Sequence, residues 1–299
     1  MKKTDRPGRE QIGRIGHIYT EENMAYKLSA ITWSHHYSYE IGKIDDFGLI
    51  DLYAKEGLGG IEFIMEHIKE HKEKYLFTLK KKANDCGLEI SAVSPGNNFG
   101  NEKEKDNIAN LNYVKKSIDT AEILGASFVR VFAGWPPAGK REALWNNAVR
   151  YMQKAAKYAE KKGITLVVEP HNHGGFLPDS KSSIKFIEDV NSPFVRLNID
   201  TGNYLGFDSD MYKGIADSMK YALYCHLKIH KITKNGETSD FDLDKVFNVL
   251  SEARYHGWIA IEYEGQEFLQ ADKEEKSKNE FEFFGVAVKK AKEMIKKYY

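Results

Sequence analysis

From residue 28 onward the chain alternates between two kinds of segment. Short apolar runs rich in β-branched residues fall at 28–33, 60–64, 88–93, 128–132, 164–169, 195–200, 222–228 and 258–263. Several, such as ITLVVE and WIAIEY, are apolar almost throughout, as strands buried on both faces are. Between them lie longer stretches whose apolar residues recur every three or four positions. In NIANLNYVKKSIDTAEILG, Ile108, Leu111, Val114, Ile118, Ala121 and Leu124 share one helical face before Gly125 offers a stop. REALWNNAVRYMQKAAKYAEKKG repeats the pattern and ends on Gly163, Asp242 or Asp244 can cap DLDKVFNVLSEARYHG, and a last helix is expected over about 276–298.

Strand ends recur at steps of roughly 30 to 40 residues, eight times over. One strand and one helix per step implies parallel strands joined by crossover helices. Eight such units are the number that closes into a (β/α)8 TIM barrel; a doubly wound open sheet is the alternative, and it loses ground because no Gly-x-Gly-x-x-Gly turn follows the first strand. The expected α/β architecture is one barrel domain over 27–299, preceded by a short N-terminal extension, 1–26, that is polar and without periodicity.

Composition narrows the setting. The 299 residues carry 44 Lys+Arg against 44 Asp+Glu, and this zero net charge speaks against a nucleic-acid or anionic-membrane binder held by bulk charge. No run of about 18 apolar residues exists to span a membrane. The opening MKKTDRPGREQIGRIG has no apolar core of an export signal, and Cys86 and Cys225 read as reduced thiols. A cytoplasmic protein is expected, with a homo-oligomer left open.

Chemistry in such a barrel belongs at the carboxyl ends of the strands. Strand five ends in Glu169, strand six in Asp200 and strand eight in Glu262, while strand seven carries His226. Any one of these is an ordinary cap or ion-pair residue. Four on consecutive strands differ, because neighbouring strands stand about 4.8 Å apart and their side chains can converge. Three converging carboxylates repel one another in a partly desolvated mouth, and a divalent cation relieves that repulsion. The oxygen-rich donor set suits one Mn²⁺ first, with Mg²⁺, Co²⁺ or Zn²⁺ as alternatives. Four protein ligands leave two positions of an octahedral shell, enough for a vicinal hydroxyl and carbonyl. Lys228 lies two residues beyond His226, hence on the same strand face, as a stabiliser of developing negative charge.

The order Glu–Asp–His–Glu, at intervals of 31, 26 and 36 residues, together with EPHNHGG after strand five and HLK on strand seven, resembles the xylose isomerase-like superfamily of sugar phosphate isomerases and epimerases, which includes ketose 3-epimerases and inosose-processing enzymes. The resemblance runs from about residue 28 to the end. It implies a metal held by Glu169, Asp200, His226 and Glu262, with Glu169 and Glu262 also exchanging a proton with carbon on opposite faces of a bound sugar. It implies a substrate role for His173, by its place after the strand-five glutamate. Two positions depart from the ketose 3-epimerases: Asn203 stands where they carry a substrate-binding histidine, and Ile232 where they carry an arginine. Asn203 is therefore a substrate-binding candidate of altered chemistry, with His171 and His230 as further local substitutes.

Weaker candidates come from the other loops. Trp33 and Trp135 can wall a sugar ring, Glu62 can meet a substrate hydroxyl or orient a ligand, and the Lys140–Arg141 pair is expected in solvent. The leading reading is a metal-dependent isomerase or epimerase that moves a proton next to the carbonyl of a keto-sugar or keto-polyol through an enediolate. Its partner is a small carbohydrate, with no nucleic acid or membrane involved. The alternative keeps the same site and ends in elimination, as a dehydratase or lyase on a 3-keto sugar, keto-glycoside or inosose. A multi-metal nuclease of the endonuclease IV kind and a non-catalytic binding protein rank lower.

Overall fold

A computed structural model describes residues 28–206 and 208–299. The extension expected at 1–26 lies outside the described residues. Eight parallel strands close into a barrel in sequence order: β1 (Leu28–Ile31), β2 (Gly60–Ile64), β3 (Glu89–Ser94), β4 (Phe128–Phe132), β5 (Thr165–Glu169), β6 (Val195–Asp200), β7 (Ala222–Ile229) and β8 (Trp258–Tyr263). Pairing of β1 with β8 completes the ring, so no sheet edge is left open.

The helices run where the three- and four-residue spacing placed them. Those over Glu104–Leu124 and Arg141–Lys162 both end at glycines in the left-handed region, Gly125 (φ 82°) and Gly163 (φ 67°), where a side chain would be strained. Asp242 caps the helix Leu243–Glu252 by accepting from the backbone of Asp244 and Lys245. The last helix spans Lys273–Tyr298. Among the described residues no helix is long and apolar enough to cross a membrane.

β1 ends two residues before the expected boundary. At Thr32 the chain turns into a short 3-10 turn, Thr32–His35, and hydroxyls take over the ladder's role. Thr32 Oγ1 accepts from the Ile64 N–H, and Ser34 Oγ accepts from the Tyr263 N–H while donating to the Ile261 carbonyl. The strand thus trades its last pairings for side-chain bonds that tie it to β2 and β8.

Alternation divides each strand's residues between two cores. Residues such as Val129, Val131, Leu197, Ile199, Leu227 and Ile261 pack outward against the helices, each contributing about 1.5–3 kcal/mol on full burial. Ala92, Val167, Tyr224, Trp258 and Ala260, with Phe128 beside them, plug the interior near the amino-terminal end. Within that plug the Tyr224 hydroxyl meets the hydroxyls of Ser91, at 2.8 Å, and Ser29. Above it the inward residues turn polar.

Candidate metal centre

Glu169 and Asp200 are the final residues of β5 and β6, and register pairs Asp200 with His226 and Lys228 with Glu262. A register shift between Leu197 and Asn198 against β7 sets Asp200 level with the histidine. Such bulges re-aim a side chain at the cost of one ladder bond. One donor atom each from Glu169, Asp200, His226 and Glu262 lies within 4.8 Å of the other three, and all four residues are buried.

Three of the four ligands are held from outside the cluster. Asp200 Oδ1 accepts from the N–H groups of Gly202 (2.9 Å) and Asn203 (3.0 Å), which turns Oδ2 inward. Glu169 takes Asn203 Nδ2 on Oε1 and Asn198 Nδ2 on Oε2, each at 3.2 Å. The Arg130 guanidinium lies beside the same carboxylate, Nε to Oε2 3.4 Å, as an ion contact without hydrogen-bond geometry. His226 presents Nε2 to Glu62 Oε2 at 2.9 Å and Nδ1 to the cluster, 3.2 Å from Glu169, 3.5 Å from Glu262 and 4.0 Å from Asp200.

Three buried atoms in this cluster have no hydrogen-bond partner: Asp200 Oδ2, His226 Nδ1 and Glu262 Oε2. Unbonded buried polar atoms are costly and rare, and these three face one another. Ligands about 2.1 Å from a common octahedral ion stand about 3.0 Å apart at right angles and about 4.2 Å apart across it. The separations from His226 Nδ1, 3.2, 3.5 and 4.0 Å, fall in that range, and the oxygen-rich donor set fits one hard divalent cation.

Electrostatics tell the same story. Burial raises Asp200 well above the usual carboxylate range, a shift that Lys228 opposes and the charges of Glu262 and Glu169 reinforce. Burial would raise Glu262 too, but Lys228 and His226 bring it well below its ordinary value. For Glu169, Arg130 and His226 outweigh burial and lower it. Burial would lower His226, yet the carboxylates of Glu62 and Glu169 hold it well above the usual histidine range. Left to themselves, the carboxylates cannot all ionise without borrowed positive charge.

Lys228 enters as sequence parity implies. Its ammonium stands 3.1 Å from Asp200, 3.1 Å from Glu262 and 3.2 Å from Glu264. Asn203 faces Glu169 and the Pro170 carbonyl, with Lys228 Nζ 3.5 Å from its Oδ1. Glu62 sits beneath the centre rather than at the mouth. Trp33 is half-buried and stacks on His36, ring centroids 4.0 Å apart. His173 is exposed with its ring against His171; it is His171 that lines the hollow beside Glu169, with Phe132, Trp135 and Phe176. The Trp135 loop is pinned by Asn98, whose Oδ1 accepts from Trp135 and Gly100. Gly134, at φ 115°, permits that approach, since a Cβ there would lie 2.4 Å from the same oxygen. Arg141 is not in solvent: it donates twice to the Phe176 carbonyl and so anchors the loop after β5.

Arg130, Asn198, Ser94 and Glu264 were not singled out by sequence reasoning. Arg130 carries a signal, being a charge at an inward position of the strand FVRVF, between Phe128 and Phe132. Glu264 lies two residues past Glu262, on its side of the chain, and reaches Lys228.

Comparison with known proteins identifies the family and the fold. Residues 50–285 match the model of the xylose isomerase-like TIM barrel family. The chain is 25% identical to hydroxypyruvate isomerase of Escherichia coli (strain K12) over 262 residues, covering 81% of this chain and 96% of that protein. It is 25% identical to inosose dehydratase of Clostridium tetani (strain Massachusetts / E88) over 144 residues, 41% of this chain and 48% of that one. Among solved structures, D-psicose 3-epimerase of Clostridium cellulolyticum H10, with D-tagatose, superposes with a TM-score of 0.72 at 15% identity, over 91% of this chain and 98% of the other.

Proposed function

The chain belongs to the xylose isomerase-like TIM barrel family, and from that premise we propose that it is a metal-dependent isomerase or epimerase, moving a proton next to the carbonyl of an uncharged keto-sugar or keto-polyol. The convergence of one buried donor atom each from Glu169, Asp200, His226 and Glu262, with only the Lys228 ammonium in ion contact with Asp200 Oδ2 and Glu262 Oε2, is the observation that carries this reading. A divalent ion, Mn²⁺ first, held by Glu169, Asp200, His226 and Glu262 would supply Lewis acidity toward the substrate carbonyl.

The remaining roles belong to the protein. Glu169 and Glu262 come from strands three places apart in the ring, which suits one carboxylate to remove a proton and the other to return one. Asn198, Asn203 and Arg130 hold Glu169 in place for that transfer. The Lys228 ammonium, held against Asp200 and Glu262, offsets part of the negative charge of the ligand carboxylates. Phe132, Trp135 and His171 give the hollow an aromatic wall.

Charge supports an uncharged substrate. Around the mouth Lys228 is shared among three carboxylates, and His230 lies between Asp240 and Glu264, 3.4 Å from each. Lys231 pairs with Asp240, Lys140 with Glu102, and Arg141 with a carbonyl. Among the described residues these cations are each engaged by the protein, as Arg130 is by Glu169, and on that balance we favour a neutral ketose over hydroxypyruvate. Incubation with Mn²⁺ and a panel of ketoses in deuterated water tests the reading. Deuterium entering a carbon next to the carbonyl is expected; metal bound but no deuterium in any substrate removes it. Growth of an enone absorbance instead would assign the elimination chemistry that the inosose dehydratase match brings into view.

A further inference from the structure

We infer that Glu62 is a positioning residue for the metal centre: it fixes the His226 ring so that Nδ1 is the donor turned toward the cation, and lends the ring negative charge. This rests on the metal-centre reading above. A neutral imidazole has one nitrogen carrying a proton and one carrying a lone pair, and only the second can bind a cation. A carboxylate against one nitrogen keeps the proton there. Glu62 Oε2 is 2.9 Å from Nε2, and both residues are fully buried, so no water competes for that bond. Nδ1 is then the free donor, and it is the atom that faces Glu169, Asp200 and Glu262.

The strands are built to hold Glu62 in this place. A register shift between Ile61 and Glu62 against β3 sets Glu62 opposite Ala92, and two residues along, Ile64 pairs with Ser94. The Ser94 hydroxyl donates to Glu62 Oε1. Both carboxylate oxygens are therefore engaged below the centre, and neither is turned to the mouth. The His226 ring is closed in from beneath by Tyr224, edge to face with centroids 5.8 Å apart. A ring held on three sides cannot swap its nitrogens. A carboxylate, unlike an amide, also raises the basicity of the ring toward a dication.

The test is Mn²⁺ affinity, by calorimetry on the metal-free full-length protein, for wild type, Glu62→Gln, Ser94→Ala, His226→Ala and the double variant Glu62→Gln/His226→Ala. Glu62→Gln keeps the shape and an oxygen for Nε2–H, so folding is preserved. It should weaken Mn²⁺ binding about 10–100-fold, with Ser94→Ala in the same direction and smaller. In the His226→Ala background the Glu62 change should add nothing, because its effect passes through the imidazole. Equal affinity in wild type and Glu62→Gln overturns the inference, as does an undiminished loss in the His226→Ala background. Failure of the wild type to bind Mn²⁺ is a different result: it removes the metal-centre reading, and this inference with it.

Discussion

Asn203 Nδ2 lies 3.2 Å from Glu169 Oε1 and 2.9 Å from the Pro170 carbonyl, so a residue on the loop after β6 holds the carboxylate that ends β5. The family resemblance implies a substrate-binding residue at this position; here the asparagine side chain meets Glu169 and the Pro170 carbonyl. Asn203→Ala frees one oxygen of Glu169 and orphans a buried carbonyl. The expected result is a fall of about 10–100-fold in kcat/KM, carried mainly by kcat, with Mn²⁺ affinity also reduced. A loss confined to KM would return Asn203 to a role in direct substrate contact.

Glu169 and Glu262 are asked both to hold a cation and to move protons. Replacing either by glutamine keeps the volume and removes the base. Activity should drop by about 10²–10⁴-fold for each, and elemental analysis should find less Mn²⁺ retained per chain than in wild type. Deuterium exchange into recovered substrate separates the two roles. One variant that still exchanges at carbon while failing to turn over would name the other residue as the first base. Full activity in either variant would remove that residue from the proton path.

The eight-fold barrel was legible because each strand and helix carries its own periodicity, and the four-residue cluster because strand ends on a parallel barrel share one mouth. The second layer was harder to read. For Glu62 the sequence left a substrate hydroxyl and the orienting of a ligand both open, since nothing in GIEFI tells that a register shift sets it against His226. His173 was favoured over His171 by motif position. The turn after Glu169 instead leaves His173 in solvent and puts His171 against Trp135. Arg141 looked solvated because its acceptor, the Phe176 carbonyl, is 35 residues away and visible only once the loops are folded.

Lys228 is a buried cation shared by three carboxylates, 5% exposed at its side chain. Removing one partner of a buried ion cluster typically costs about 3–5 kcal/mol. In the metal-free protein Lys228→Met should lower the melting temperature by about 6–20 °C at about 2–4 °C per kcal/mol. Because the ammonium and a divalent cation share Asp200 Oδ2 and Glu262 Oε2, the same variant should bind Mn²⁺ more tightly than wild type and recover much of its stability on saturation. A thermal-shift titration measures both effects at once. Weaker Mn²⁺ binding in Lys228→Met would show that the lysine organises the ligands instead of competing with the metal.

His35 is fully buried behind the end of β1, its ring edge-on to Phe284 at 4.5 Å and Nδ1 3.3 Å from the Tyr53 hydroxyl. Burial, with a smaller contribution from His67, lowers its pKa from 6.5 to about 3. The unfolded chain therefore binds more protons between those values, and stability is lost as pH falls from 6.5 toward 3, at no more than about 1.4 kcal/mol per pH unit. His67 has the same sign, held at about 3 by burial. Glu280 has the opposite one: burial raises it to about 7, so its protonated form favours the fold and stability is lost as pH climbs from 4.5 to 7. Over about pH 4.5 to 6.5 the Glu280 slope opposes that of the histidines. The difference between wild type and His35→Phe isolates one group. Urea unfolding at pH 7.5, 6.5, 5.5 and 4.5 should show the variant gaining on wild type at each step below 6.5 and keeping a constant offset above it. A difference that does not change with pH would mean His35 titrates inside the fold as it does in the unfolded chain, against its apolar surroundings.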